Sequence, residues 1–87
     1  MRLPPVLRAH AAGARTVEVD GGTLRDALDD LFARHPGVRG QLVDESGQLN
    51  AFVNVYVEGE DVRLRDGLDT VLGASSSVIV LPAMAGG

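Results

Sequence analysis

The chain has 87 residues, 45% hydrophobic and 23% charged, with a net charge of −4, the profile of one soluble globular domain near the small end of what folds without help. It contains no cysteine, which excludes disulfides, iron–sulfur clusters, zinc knuckles and thiol nucleophiles together. Its acidity argues against nucleic acid, because phosphate binding needs a concentrated basic face. With no apolar run near the ~18 residues of a membrane span and no basic-then-apolar leader, the expected location is the cytosol.

In chain order, Leu3 to Ala9 alternates behind Pro4 and Pro5 and predicts a strand with an edge or irregular start. Ala11-Ala12-Gly13-Ala14 predicts a turn, and Arg15-Thr16-Val17-Glu18-Val19 a second strand, so a hairpin is the simplest arrangement. Asp20-Gly21-Gly22 ends it. A helix follows: Thr23 stands in the capping position with Asp26 three residues on, where Glu or Gln is usual. Leu24, Ala27, Leu28, Leu31 and Phe32 make one apolar stripe, and His35-Pro36-Gly37 stops it.

Residues 38–50 read as a loop with a short extended piece at Gln41-Leu42-Val43 and turn chemistry at Asp44-Glu45-Ser46-Gly47. Ala51 to Val57 is the strongest strand. Asn54 is costly to bury, so Val53, Val55 and Val57 are assigned to the core, and Phe52 and Tyr56 to the outer face. Glu58-Gly59 turns into a short strand at Glu60 to Leu64, Asp66 to Leu72 forms one or two helical turns, and Ser77 to Pro82 is the last strand. By the same alternation Val78 and Val80 face inward while Ile79 and Leu81 face out. The class is α+β, and the order fits a β-grasp: a mixed sheet of four to five strands on one main helix. Residues 1–82 form the domain and 83–87 a flexible tail.

That tail, Ala83-Met84-Ala85-Gly86-Gly87, ends in a bare diglycine. Glycine has no Cβ, so the thread can enter a channel too narrow for any side chain. Five extended residues at about 3.4 Å each reach roughly 17 Å, far enough to place the Gly87 carboxyl inside another protein's active site. All eight basic residues are arginine, so no ε-amino group on this chain can accept an isopeptide bond.

The segments Phe52-Val53-Asn54-Val55-Tyr56-Val57-Glu58-Gly59-Glu60-Asp61-Val62-Arg63 and Leu81-Pro82-Ala83-Met84-Ala85-Gly86-Gly87 resemble those of the ubiquitin-like sulfur carriers. That family includes the thiamine-synthesis carrier and the small subunit of molybdopterin synthase. Within it they are most similar to the actinobacterial carriers for cysteine synthesis. Molybdopterin-type subunits more often have an aromatic residue and a second proline where this chain has Leu81 and Ala83.

The resemblance implies a carrier and co-substrate with no catalytic side chain and no bound cofactor. A ubiquitin-activating-enzyme-like adenylyltransferase/sulfurtransferase would use ATP to adenylate Gly87 and leave it as a thiocarboxylate, Gly86 serving for passage. The acceptor would be held by a synthase, pyridoxal-phosphate dependent in the cysteine route, where a zinc metalloprotease then releases the product. Phe52, Tyr56, Ile79, Leu81 and Met84 form the expected partner-docking set, since exposed apolar side chains near the tail mark a partner surface. Three readings stay open: a sulfur carrier, in cysteine synthesis or as a molybdopterin-synthase small subunit; a ubiquitin-like modifier of other proteins; and a plain β-grasp interaction domain with an incidental tail.

His10 and His35 lack carboxylate or cysteine company at ligand spacing, so no metal site is expected. Glu58, Glu60 and Asp61 read as a solvated acidic turn.

Overall fold

The computed structural model describes residues 1–73 and 75–82. Its centre is a single helix, α2 (Leu24–Arg34), under a small sheet. The Thr23 hydroxyl accepts the Asp26 N–H at 3.2 Å, satisfying one of the donors a helix start leaves open. The expected stripe is the buried face: Leu24, Ala27, Leu28 and Leu31 are almost wholly covered and Phe32 nearly so. Burial of each large side chain of this kind contributes about 1.5–3 kcal/mol, so this face anchors the core.

The sheet ladder has three strands in the order β2 (Glu60–Asp61), β1 (Val53–Val57), β3 (Val78–Pro82), all antiparallel. Glu58 and Gly59 both have positive φ, 52° and 80°, which suits the two-residue hairpin turn that matches strand twist. Val53, Val55, Val57, Val78 and Val80 all point into the core. The burial alternates as the sequence requires.

Beyond β3 the sheet is continued by the N-terminal residues. Arg2 donates its N–H to the Val78 carbonyl at 2.8 Å and accepts from Val80 N–H at 2.9 Å, a parallel pairing. On its other side Leu3 N–H bonds the Arg15 carbonyl and Val17 N–H the Met1 carbonyl, both at 2.9 Å. The full order, β2–β1–β3–residues 1–3–residues 15–17, is the mixed β-grasp sheet, with the last two members joined by single bridges.

The first predicted strand needs correction. Of that strand only Leu3 and Pro4 are extended; Pro5–Arg8 is a helical turn, α1, continued by a 3₁₀ turn over Ala9–Ala11. Pro4 is extended and Pro5 occupies the first turn, where proline's fixed φ favours a helix. Leu3, Leu7 and Ala11, spaced by four, are all buried. The hairpin is therefore closed by a helical connection; at its end Ala12 and Gly13 take positive φ, and Gly13 N–H reaches the Arg8 carbonyl.

Two further segments differ. The extended piece expected at 41–43 is a helical turn, α3 (Arg39–Leu42), preceded by a 3₁₀ turn over Pro36–Val38. Val38 and Leu42, four apart, bury one face there, and only Val43 pairs as strand, opposite Leu49. The strand expected over 60–64 stops at Asp61, whose carboxylate accepts the Arg63 N–H at 2.9 Å and caps a 3₁₀ turn, Val62–Leu64. The helical reading of 66–72 reduces to a 3₁₀ turn at Gly67–Asp69, held by the buried Thr70 hydroxyl donating to the Gly67 carbonyl.

Candidate functional site

Because Val53, Val55 and Val57 point inward, Asn54 and Tyr56 between them point outward, while Phe52 lies in the turn just before β1. Phe52 is 63% exposed, while Asn54 and Tyr56 are half-buried. In β3 the counterpart residues are Ile79, half-buried, and Leu81, 44% exposed. Register brings them together: Tyr56 lies opposite Ile79 and Asn54 opposite Leu81. Tyr56, Ile79 and Leu81, three of the five residues expected to dock a partner, thus share one face of two paired strands, and Phe52 stands in the turn that leads into them. Met84, the fifth, lies outside the described residues, as do Gly86 and Gly87.

Two shallow apolar grooves meet at the end of β3. One, of about 320 Å³, is bounded by Val6 and Leu7 on one side and Phe52, Leu81 and Pro82 on the other. The second, of about 390 Å³, lies between Arg2, Pro5 and Arg8 and the strand residues Ile79 to Pro82. Pro4 lines both. Pro82, the last described residue, therefore stands at the junction of two apolar depressions. Val6, 62% exposed, belongs to this surface; alternation over Leu3 to Ala9 does not single it out, because its segment is helical.

The polar groups of this face are tied to one another. Arg63 reaches across the outer surface of β1: one guanidinium nitrogen donates to Asn54 Oδ1 at 2.8 Å, the other to the carbonyls of Val53 at 2.8 Å and Asn50 at 3.1 Å. The Asn50 carboxamide oxygen in turn accepts the Phe52 N–H at 3.0 Å. Glu58 accepts the Ser77 N–H at 2.8 Å, Asp61 caps the turn after β2, and Glu60 faces Arg65 at 4.0 Å. The acidic turn is at the surface, as expected, and of its three carboxylates only Glu58 reaches across to the residue before β3. The sequence reading missed Arg63 because a guanidinium's partners are set by a register that sequence spacing does not show.

Among the described residues, no three histidine, aspartate or glutamate side chains gather where they could hold a metal ion. Nor is any helix among them long and apolar enough to cross a membrane.

With this geometry in place, the relatives are informative. Residues 3–87 match the ThiS family. The sulfur carrier protein CysO of Mycobacterium tuberculosis is 44% identical over 87 residues, covering 98% of this chain and 94% of that protein. The crystal structure of the Amycolatopsis orientalis BexX/CysO complex contains a chain that superposes with a TM-score of 0.90 at 41% identity, over 99% of this chain and 96% of that one. The SAMP1 crystal structure from Haloferax volcanii superposes with a TM-score of 0.78 at 32% identity, over 99% and 94% of the two chains.

Proposed function

This chain belongs to the ThiS family, and from that premise we propose that it is a sulfur carrier whose working atom is the carbonyl carbon of Gly87. Residues 1–82 are the handle and 83–87 the arm. The observation that carries the reading is the nearly full-length likeness to a sulfur carrier, with a family match that runs to Gly87, on a domain whose last described residues line an exposed apolar surface.

The chemistry follows from the state of a C-terminal carboxyl. Near neutral pH it is an anion, a poor electrophile, and must be activated before sulfur can attack it. A carboxylate oxygen of Gly87 attacks the α-phosphorus of ATP in a partner enzyme, pyrophosphate leaves, and an acyl-adenylate forms. A sulfur nucleophile delivered by that system then attacks the carbonyl carbon and AMP departs. The resulting thiocarboxylate is a soft nucleophile that passes its sulfur to an activated carbon of an acceptor.

Every catalytic acid and base in these steps belongs to the partners, while the reacting carbonyl carbon is the carrier's own. The carrier contributes a thin arm and a recognition face. That face is the Phe52, Tyr56, Ile79 and Leu81 surface, with Met84 beyond it. The likeness to a CysO found in complex with BexX supports a synthase as one partner, the adenylyltransferase being the other. The acceptor supported best is that of cysteine synthesis, with a pyridoxal-phosphate enzyme forming the carbon–sulfur bond and a metalloprotease releasing the product.

A second reading has an observation of its own. Small archaeal modifier protein 1 of Haloferax volcanii is 33% identical over 82 residues, so attachment of Gly87 to lysines of other proteins is the alternative. The two share the adenylate and part at the next nucleophile.

The experiment is ATP–pyrophosphate exchange with the adenylyltransferase encoded in the same genome. Exchange that depends on this chain supports the carrier reading. Its absence contradicts it. Reductant-resistant conjugates of high mass would favour the modifier.

A further inference from the structure

We propose that Arg63 is a positioning residue for partner docking: it fixes the turn that presents Phe52 beside the root of the tail. The inference rests on the carrier reading for its biological role and on the structure for its geometry.

Phe52 is 63% exposed, so packing does little to hold it. What holds it is its backbone. The Phe52 N–H is bound by Asn50 Oδ1, and the Val53 N–H by the Asn50 carbonyl at 3.1 Å. Arg63 closes this short loop from outside, one terminal nitrogen spanning the carbonyls of Asn50 and Val53 on either side of Phe52 while the other takes Asn54 Oδ1. A planar, branched donor reaches these acceptors from two nitrogens in a fixed geometry; an ammonium carries its three donors on one nitrogen at the end of a flexible stem.

The guanidinium is itself pre-set. Asp61 accepts the Arg63 N–H and caps the turn that carries it, while the Arg63 side chain adds nothing to the buried core. Asn54, the third acceptor, lies directly opposite Leu81. One side chain therefore ties the turn bearing Phe52 to β1 at the position that pairs with Leu81 of β3. An interface residue held in its bound position before the encounter loses less freedom on binding.

The test has two arms. In the isolated chain, Arg63→Met is expected to speed hydrogen exchange at the Phe52 and Val53 amides by about tenfold or more, with the β1–β3 ladder unchanged. Unchanged exchange at both amides overturns the proposal, and so does equal acceleration along the ladder, since Arg63 would then serve the whole sheet. This arm needs no partner, and it decides the positioning even if the wild-type chain is never adenylated, a result that would sink the carrier reading alone.

The second arm is adenylation by the adenylyltransferase from the same genome. Arg63→Met and Arg63→Lys are each expected to raise the apparent KM for the carrier about fivefold to tenfold with kcat unchanged, the range expected when an interface anchor is loosened. In a Phe52→Ala background the same changes should add less than about twofold, because the two residues act as one unit. Full rescue by lysine, or equal effects in both backgrounds, would overturn it.

Discussion

Asn54 and Leu81 face each other across the β1–β3 ladder, one accepting from Arg63 and the other opening the path to the tail. The outer face of the sheet and the last described residues of β3 thus belong to a single surface. A partner that grips one is placed over the other, which is what a carrier needs if its last residue is to enter an active site while the domain stays outside.

Ile79 sits on this face, opposite Tyr56 and half-buried. Ile79→Asp is expected to weaken the complex with the adenylating enzyme by about 1 kcal/mol or more, since a charge is desolvated at an apolar contact. The fold should survive. Titration calorimetry together with far-ultraviolet circular dichroism checks both halves.

Phe52→Ala and Leu31→Ala separate the surface from the core. Leu31 is fully buried against the sheet, and its truncation is expected to cost about 2–5 kcal/mol. The exposed Phe52 should change stability by no more than about 0.5 kcal/mol. Urea midpoints read the difference.

Gly21 crosses the start of α2 so closely that a Cβ there would stand 2.5 Å from the Ala27 nitrogen, with Asp26 atoms at 2.8 Å. Gly21→Ala should cost about 1–3 kcal/mol, as the chain must shift off the helix. Gly22→Ala meets nothing within 4 Å and is the control. Equal melting temperatures for the two variants would contradict the close approach.

Asp44 gives a pH dependence. Its carboxylate accepts from the Ser46 hydroxyl at 2.7 Å and from the N–H groups of Gln48 and Ser46 at 3.1 and 2.9 Å. These bonds, the Ser46 hydroxyl foremost, hold its pKa below the usual aspartate range. The folded state therefore gains stability at neutral pH that is lost as pH falls past the unfolded aspartate value and through the lower folded one. Asp44→Asn should flatten the acid limb of a stability–pH profile, read by melting temperature between neutrality and strong acid.

How much of this was legible in the sequence depended on whether one periodicity stood alone. The α2 stripe of Leu24, Ala27, Leu28, Leu31 and Phe32 and the valine alternation of β1 each fit a single period, and both stand in the structure. Leu3 to Ala9 fits two. Leu3 and Leu7 are compatible with alternation, but continued to Ala11 they step by four, and Pro5 sits where a helix begins. The same spacing at Val38 and Leu42 was hidden by the surrounding glycines and polar residues. Of the candidate site, the outward placing of Tyr56, Ile79 and Leu81 follows from alternation, whereas Phe52, expected in the same strand, is exposed in the turn before it. Val6 and the Arg63 network do not follow from alternation, because both depend on which segments the fold brings side by side.

The account's central claim is that the Gly87 carboxyl is the loaded group, and intact-mass spectrometry tests it most directly. After incubation with the adenylyltransferase, ATP and a sulfide source, the chain should gain the mass difference of one oxygen replaced by sulfur, carried by the C-terminal peptide, and Gly87→Ala should gain far less. An unchanged mass under conditions where the enzyme turns over ATP, or a sulfur located on any other peptide, would contradict it.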